Sequence, residues 1–326
     1  MKTKKIAAIV ISIIFGIILA ASLHARGRSD DSVRDLTIFN IRGPSGVGLI
    51  RLFEEPPQIP GFNVRLEALA NQDLMAARLI SGEAQVGVLP PNMAAKIASS
   101  GRDIRAAAVL FTGMLSLLTS DPDVRSIADL RGKTVEVAGQ GATPEFVFRK
   151  ILDFHGLTPG RDISFGHSLA FPAIAQSLIA GRISTALLPE PFATMALMGR
   201  PELRHVTNIQ EEWARVTGIE NYPMTLLVVD GAFADANPAA MRIILDAARD
   251  SIEWVKAHPA EAGALVEKHE LGLRANIVAA SVPQSNYVFI PASDARPSLE
   301  ALFSVFLDFA PVSIGGVLPD DRFYFR

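Results

Sequence analysis

The sequence predicts an α/β protein built from two lobes, and three observations lead to that prediction. The chain has 326 residues, more than one continuous core usually supports, so two lobes are expected. Short apolar strands alternate with helical segments, as in folds whose sheets are mainly parallel. The order of these elements recurs about 96 to 99 residues later along the chain, which indicates two lobes of similar construction.

The first 25 residues have the layout of a secretory signal. Three lysines within the first five residues precede an unbroken apolar run, Ile6 to Ala21, and a charged stretch begins at Arg26. We predict that residues 1–25 are cleaved off near Ala25, which leaves a polar spacer over residues 26–35 and a periplasmic protein. The alternative is an uncleaved segment that holds the protein at the membrane, although a spanning helix needs about 20 apolar residues.

The composition excludes several classes of function. The chain contains no cysteine, which rules out disulfides, thiolate metal sites, a cysteine nucleophile and a lipid-modified cysteine. The six histidines lack the spacing of metal ligands, and we expect neither a metal nor another cofactor. The formal charge is −3 and no run rich in lysine and arginine occurs, so nucleic acid is not an expected partner.

In the first half of the repeat, an apolar strand leads into a glycine-rich turn. Leu36 to Ile41 reads as a buried strand, and the turn Gly43 to Gly48 follows it. Gln72 to Ser81 has apolar residues at helical spacing and stops at Gly82, which suits the left-handed position after a helix. Val86 to Leu89 is a second buried strand, ended by two prolines.

The second half repeats this order. Thr134 to Ala138 is predicted as the strand and Gly139 to Gly141 as the turn, after which Thr143 caps a helix with Pro144 at its first position. At a constant offset of 99 residues, Leu178, Ile179, Gly181, Leu188 and Pro189 then repeat Leu79, Ile80, Gly82, Leu89 and Pro90.

The remaining third of the chain reads as scaffold. Met224 to Val229 is a further buried strand, and Ala239 to Ala257 is a helix with one apolar face. Pro259 to Glu270 and Ser298 to Phe309 are predicted as shorter helices.

Four loops are expected to meet around one cleft. In open α/β sheets, small ligands bind outside the carboxyl ends of the strands, and clefts between lobes are frequent binding sites. Both halves of the repeat put their glycine turns at such strand ends. The four loops are Arg42 to Gly46, Leu89 to Asn92, Gly139 to Pro144, and Pro189 to Phe192.

Several short motifs resemble a family of transport proteins. Gly43-Pro44 follows the first strand, and LISGE over residues 79–83 precedes the strand of Val86 to Leu89. Residues 127–135 read IADLRGKTV, and Gly181-Arg182-Ile183 leads to PEPF at residues 189–192. In this order, from about residue 36 to residue 260, the motifs resemble the substrate-binding proteins of ABC importers for nitrate, sulfonates, taurine and thiamine-pyrimidine precursors.

The resemblance implies a periplasmic-binding-protein type II fold, whose two lobes close over a small-molecule ligand. Its two hinge crossovers would lie near Thr112 and Tyr222. Lobe I would then comprise residues 36–112 and 223–326, and lobe II residues 113–222. The implied partners are an ABC permease and its cytoplasmic ATPase, and we expect a monomer.

The predicted ligand contacts point to more than one chemistry. The helix start near Thr143 and the side chain of Arg42 suit an anion, whereas Glu190 suits a cationic or amide group. Each residue also has a plain alternative as a helix cap, a surface charge or part of the core. The predicted ligand-binding residues are Arg42, Gly43, Pro44, Ser45, Asn71, Gln72, Pro90, Asn92, Thr112, Gly139, Gln140, Gly141, Ala142, Thr143, Phe171, Glu190, Phe192 and Tyr222.

Two other functions remain as alternatives to a binding protein without catalytic role. One is an enzyme on the same fold, of the pyrimidine-precursor or menaquinone-pathway type, although the sequence contains neither a cysteine-rich motif nor a recognised catalytic motif. The other is a sensor that uses the same cleft to signal to a membrane partner.

Overall fold

The computed structural model describes residues 33–137, 139–167 and 169–326. The predicted signal segment, spacer residues 26–32 and Ala138 lie outside the described residues. The described strands are β1 (Arg34–Ile41), β2 (Phe62–Leu69), β3 (Val86–Leu89), β4 (Ile104–Thr112), β5 (Leu115–Thr119), β6 (Thr134–Val137), β7 (Ser164–Gly166), β8 (Thr185–Pro189), β9 (Arg204–Asn208), β10 (Pro223–Asp230) and β11 (Tyr287–Pro291).

Helices cover the faces of these strands. They are α1 (Pro44–Gly48), α2 (Ile50–Glu54), α3 (Gln72–Ser81), α4 (Pro91–Ser99), α5 (Thr143–Phe154), α6 (Phe171–Ile179), α7 (Phe192–Gly199), α8 (Ile209–Thr217), α9 (Gly231–Ala236), α10 (Pro238–Ala257), α11 (Pro259–Lys268), α12 (Ala275–Ser281) and α13 (Ala292–Phe309). None of the helices in the described part is both long and apolar enough to cross a membrane.

The strands form two sheets with the same internal order. The first, sheet A, has the order β2-β1-β3-β10-β4-β11, and the second, sheet B, has the order β7-β6-β8-β5-β9. In each sheet, the fourth strand, β10 or β5, reaches the sheet from the other half of the molecule. The prediction of an α/β protein with two sheets flanked by helices is confirmed.

The pairing within the sheets is mixed, so the prediction of mainly parallel sheets is wrong. Strands β1, β2 and β3 pair in parallel, as do β6, β7 and β8. The pairs that involve β10 or β5 are antiparallel. The reason is that both strands come from a crossover at the cleft and therefore run away from it, whereas β3 and β8 run toward it.

The ends of the first repeated helix follow from local chemistry. The side chain of Asn71 accepts hydrogen bonds from the backbone N–H groups of Asp73 and Leu74 and so caps the start of α3. Gly82 ends the helix in the left-handed conformation, with φ of 81°, as predicted. Between these caps, Met75 and Leu79 face the core and are fully buried.

Two predicted helix boundaries differ from the structure, at the start of α13 and at the end of α11. Helix α13 begins at Ala292, six residues before the predicted start, and continues through Pro297, although an interior proline usually breaks a helix. Helix α11 ends at Lys268 rather than at Glu270, because Glu270 has a positive φ of 55°, which lies outside the helical region.

Two crossovers connect the halves of the molecule. The first runs from β4 through Gly113 and Met114 into β5, and the second runs from α8 through Tyr222 into β10. The two crossovers pack against each other, since a Cβ atom on Gly113 would lie 2.5 Å from Cζ of Tyr222. Glycine is therefore required at this point of the first crossover.

A third contact between the two halves lies at α5 and α13. The rings of Phe146 and Phe306 lie 4.9 Å apart between centroids, and both side chains are buried. At the rim of this contact, Lys150 Nζ lies 3.4 Å from a carboxylate oxygen of Asp308. Apolar packing therefore holds the two halves together at a distance from the crossovers.

Candidate functional site

A cavity of about 630 Å³ lies between the two sheets, at the carboxyl ends of β1, β3 and β8. We call it the interlobe cavity. Its volume is in the range of small-molecule sites. It is lined by Ile41, Arg42, Gly43, Pro44, Ser45, Ala70, Asn71, Gln72, Asp73, Pro90, Phe111, Met114, Gly139, Ala142, Thr143, Pro144, Ala170, Phe171, Pro172, Pro189, Phe192, Met224, Thr225, Leu271, Gly272 and Leu273.

The sheet A wall is built on the turn that follows β1. Gly43 has a φ of 96° and precedes α1, a conformation that favours glycine. Neighbouring groups hold this turn, since the Tyr287 hydroxyl donates to the Pro44 carbonyl at 3.1 Å and the hydroxyls of Ser45 and Thr225 lie 3.5 Å apart. The turn therefore presents a fixed surface to the cavity.

The polar groups on this wall lie mostly toward its exposed edge. Arg42 is exposed and forms no ion pair with another described residue. Asn71 and Asp73 lie at the start of α3, and the Asn71 side-chain oxygen is used for the helix cap. Arg42 and Asp73 are the charged residues of the described cavity wall.

The sheet B wall is built on the start of α5. Ala142 occupies the N-cap position and provides no side-chain cap, so the prediction that Thr143 caps this helix is wrong. Instead, Glu145 reaches back and accepts a hydrogen bond from the Gly141 N–H at 2.8 Å. Thr143 is 1% exposed, and its buried Oγ1 has no hydrogen-bond partner among the described residues.

Aromatic rings form the apolar part of the cavity. Phe171 and Phe192 lie in stacked orientation, with ring centroids 5.8 Å apart and planes at 20°. Phe111 and Met114, at the first crossover, belong to the same cavity wall. A ligand inside it therefore meets mainly apolar side chains, together with the few polar groups near Thr143 and Arg42.

Twelve of the predicted ligand-binding residues lie on the wall of the interlobe cavity. Whether they contact a ligand stays a prediction. The twelve are Arg42, Gly43, Pro44, Ser45, Asn71, Gln72, Pro90, Gly139, Ala142, Thr143, Phe171 and Phe192.

The other six predicted residues lie outside the cavity wall. Thr112 ends β4 and is buried, and Tyr222 is fully buried against Trp213, because both belong to the packed crossovers. Gln140 and Gly141 are in the turn just beyond the wall. The side chains of Asn92 and Glu190 form hydrogen bonds with backbone groups outside the cavity wall.

Asn92 joins the two halves of the molecule. Its Nδ2 donates to the Gly141 carbonyl at 3.3 Å, from the start of α4 to the turn before α5. Its Oδ1 is buried without a partner among the described residues. Asn92 therefore links the two walls from behind the cavity surface.

Glu190 stabilises the start of α7. Its Oε2 accepts a hydrogen bond from the Thr194 N–H at 3.0 Å, and the residue is 3% exposed. Burial raises the pKa of its carboxyl group, and the hydrogen bond from Thr194 opposes that rise. Glu190 is therefore not a surface charge, and it does not line the interlobe cavity; whether it contacts a ligand stays a prediction.

Sequence reasoning missed two parts of the wall. Phe111, Met224 and Thr225 lie in the crossover strands β4 and β10, and only the three-dimensional pairing of those strands brings them to the cleft. Leu271 to Leu273 comes from the segment interpreted as scaffold, where Gly272 has a φ of 81°. In this segment, Gly272 was the residue whose type indicated a turn, and so the local signal for this part of the wall.

The described residues include no group of three histidine, aspartate, glutamate or cysteine side chains arranged to hold a metal ion.

A family model described as NMT1/THI5 like matches residues 59–262, which is more than half of the chain. No curated protein sequence matches this chain. The fold is similar to a solved structure of an ABC transporter protein from Parabacteroides distasonis, at 24% identity and a TM-score of 0.77, over 89% of this chain and 98% of that one.

Two further solved structures share the fold. The periplasmic aliphatic sulphonate binding protein SsuA from Escherichia coli is 16% identical, with a TM-score of 0.70 over 90% of this chain and 92% of that one. The periplasmic nitrate-binding protein NrtA from Synechocystis is 14% identical, with a TM-score of 0.61 over 77% of this chain and 70% of that one.

Proposed function

Since the chain belongs to the NMT1/THI5-like family, we propose that it is the extracytoplasmic solute-binding component of an ABC importer. The observation that carries this proposal is the interlobe cavity, which lies between two similarly built sheets and adjoins both crossovers. Rotation about two crossovers would open and close such a cavity around a small molecule. Solved structures with this fold include periplasmic sulphonate-binding and nitrate-binding proteins.

The ligand we propose is a small organic anion. The stacked rings of Phe171 and Phe192 and the side chains of Phe111 and Met114 would contact its apolar body. The Thr143 hydroxyl, the positive end of the α5 helix dipole and the Arg42 guanidinium favour a negatively charged end. Glu190, the residue that favoured a cation, is not on this wall.

A binding role without catalysis agrees with the composition of the wall. Its described residues include no histidine, lysine, tyrosine or glutamate, and the single acid, Asp73, is exposed. General acid–base catalysis usually requires such a group beside the reacting atoms. This observation favours the binding protein over the enzyme alternative.

The arrangement of lobes and partners belongs to the same proposal. Lobe I comprises residues 36–112 and 223–326, lobe II comprises residues 113–222, and the protein acts in the periplasm as a monomer. It delivers its ligand to a permease that is driven by a cytoplasmic ATPase. A periplasmic sensor would use the same cavity, and it would differ from an importer component in that its membrane partner receives a signal instead of the ligand.

The test is calorimetric titration of the purified protein with hexanesulfonate, and with hexylamine as the cation of equal length. We expect saturable binding of the sulfonate, and Phe171→Ala should weaken it by about tenfold or more, because a large apolar contact is lost. Phe154→Ala is the matched control, since Phe154 is exposed on α5 and lies outside the cavity wall.

Preference for hexylamine would contradict the anionic ligand. Equal effects of Phe171→Ala and Phe154→Ala would contradict the location of the site. If hexanesulfonate does not bind, native mass spectrometry of protein purified from a periplasmic extract decides, because a binding protein of this kind retains a small molecule that Phe171→Ala loses.

A further inference from the structure

A second cavity, of about 440 Å³, lies at the other side of the first crossover. We call it the hinge cavity. Met114 contributes to the walls of both cavities, so the first crossover separates them. The hinge cavity is lined mainly by polar residues, among them Glu190, His205, Thr207 and Gln210.

One wall of the hinge cavity carries a buried carboxylate. Glu190 is 3% exposed, and its backbone N–H donates to the Met114 carbonyl at 3.0 Å, which fixes it beside the first crossover. One of its carboxylate oxygens accepts from the Thr194 N–H. A carboxylate has acceptor sites for several further hydrogen bonds.

The second wall carries a buried amide oxygen. Gln210 Nε2 donates to the Glu220 carbonyl and to Asn221 Oδ1, the latter at 2.6 Å. Because these two partners are acceptors, they identify the donating nitrogen of the amide. Gln210 Oε1 is then directed away from them, and it is buried without a partner among the described residues. Burial of such an acceptor costs free energy unless a donor reaches it.

The described walls hold one group that could become positively charged, His205, and partial burial lowers the pKa of its ring, which favours the neutral form. No lysine or arginine lines the hinge cavity, and Glu190 forms no ion pair within the described part of the chain. A metal ion is a poor match, since no three metal-binding side chains cluster among the described residues. A cation that donates several hydrogen bonds would match the acceptors on these walls.

We propose that the hinge cavity binds an ammonium ion or a small primary amine, whose N–H groups donate to Glu190 and to Gln210 Oε1. An ammonium group has three or more N–H donors and one positive charge. Hydrogen bonds between charged partners are the stronger ones. The site is independent of the proposed importer role, because it uses neither the interlobe ligand nor its polar contacts.

The probe is methylammonium chloride, titrated into ¹⁵N-labelled protein at constant ionic strength. We expect saturable shifts of the Thr194 amide resonance, because this N–H donates to Glu190. Tetramethylammonium chloride is the control cation, since it has the same charge and no N–H donor. Saturation of the same resonance by tetramethylammonium, or no saturable shift with methylammonium, would overturn the proposal.

Glu190→Gln is the informative variant, because its amide oxygen still accepts from Thr194 while the charge is lost. We expect methylammonium to bind about tenfold more weakly or worse, as for a lost charge-assisted hydrogen bond. Glu202→Gln is the matched control, since this carboxylate is 72% exposed.

Equal methylammonium affinities of the wild type and Glu190→Gln would overturn the assignment. If Glu190→Gln does not fold, Gln210→Leu replaces it, with the same expected weakening and the same contradicting result. Failure of hexanesulfonate to bind the interlobe cavity would leave these outcomes unaffected.

Discussion

Thr143 places a buried hydroxyl at the wall of the interlobe cavity. A capping hydroxyl would accept a hydrogen bond from a backbone N–H of the helix, and this one does not. The residue is 1% exposed and its Oγ1 lacks a partner among the described residues. A buried polar group without a partner destabilises the protein on its own. We therefore propose that a ligand in the interlobe cavity supplies the missing hydrogen bond to Thr143.

Replacement of this hydroxyl should separate binding from stability. Thr143→Val keeps the side-chain shape and removes the polar atom. We expect hexanesulfonate to bind the variant about tenfold more weakly, which corresponds to one lost hydrogen bond of about 1.4 kcal/mol. The free energy of unfolding without ligand should stay equal or rise, because an unsatisfied buried hydroxyl is removed.

Calorimetric titration and chemical denaturation of the same two proteins check this prediction. Unchanged affinity together with lower stability would mean that the hydroxyl has a purely structural role. Thr207→Val is the control, since Thr207 is on the opposite side of the first crossover, in the hinge cavity.

Single residues were predictable where the signal is local. Gly82 ends α3 in the left-handed conformation, as its position in the pattern indicates. The role of Glu190 was not predictable, because its burial depends on distant parts of the chain, although the hydrogen bond that it accepts from the Thr194 N–H is local. The start of α5 is also fixed locally, but by Glu145 reaching back to Gly141 rather than by the predicted cap at Thr143.

At the scale of elements, the repeat at an offset of 99 residues corresponds to equivalent structure. Helix α3 and strand β3 in one half match α6 and β8 in the other, and Pro90 and Pro189 end the two strands at the same cavity. Local patterns sufficed to predict these units. The antiparallel strands β4, β5 and β10 were harder to place, because their pairing is set by the crossovers rather than by neighbouring sequence.

The first crossover provides a prediction at this scale. A Cβ atom on Gly113 would lie 1.6 Å from Gln210 Oε1 and 2.5 Å from the Tyr222 ring, and the ring is fully buried. Gly113→Ala should therefore lower the free energy of unfolding by about 1–3 kcal/mol through overpacking.

Chemical denaturation measures this effect, with Gly61→Ala as the control. Gly61 has a φ of 79° and no atom near the added methyl group, so its substitution tests backbone strain alone, at about 1 kcal/mol. A smaller loss for Gly113→Ala than for Gly61→Ala would contradict the tight packing of the two crossovers.

At the scale of the whole molecule, three kinds of contact link the halves. The crossovers connect them covalently, Asn92 bonds across to Gly141, and Phe146 packs on Phe306. Together these contacts hold the two cavity walls face to face. The sequence motifs predicted the type of fold, but the contact between α5 and α13 was not predictable, because its partners are about 160 residues apart and carry no local signal.

The central claim is that a small organic molecule is held between the two sheets, and a crystal structure of the protein grown with hexanesulfonate, or with the molecule that co-purifies from the periplasm, tests it most directly. We predict density for that molecule in contact with Phe171 and with its polar end at Thr143 Oγ1. Density for the molecule only on an outer surface, away from both residues, would contradict the claim.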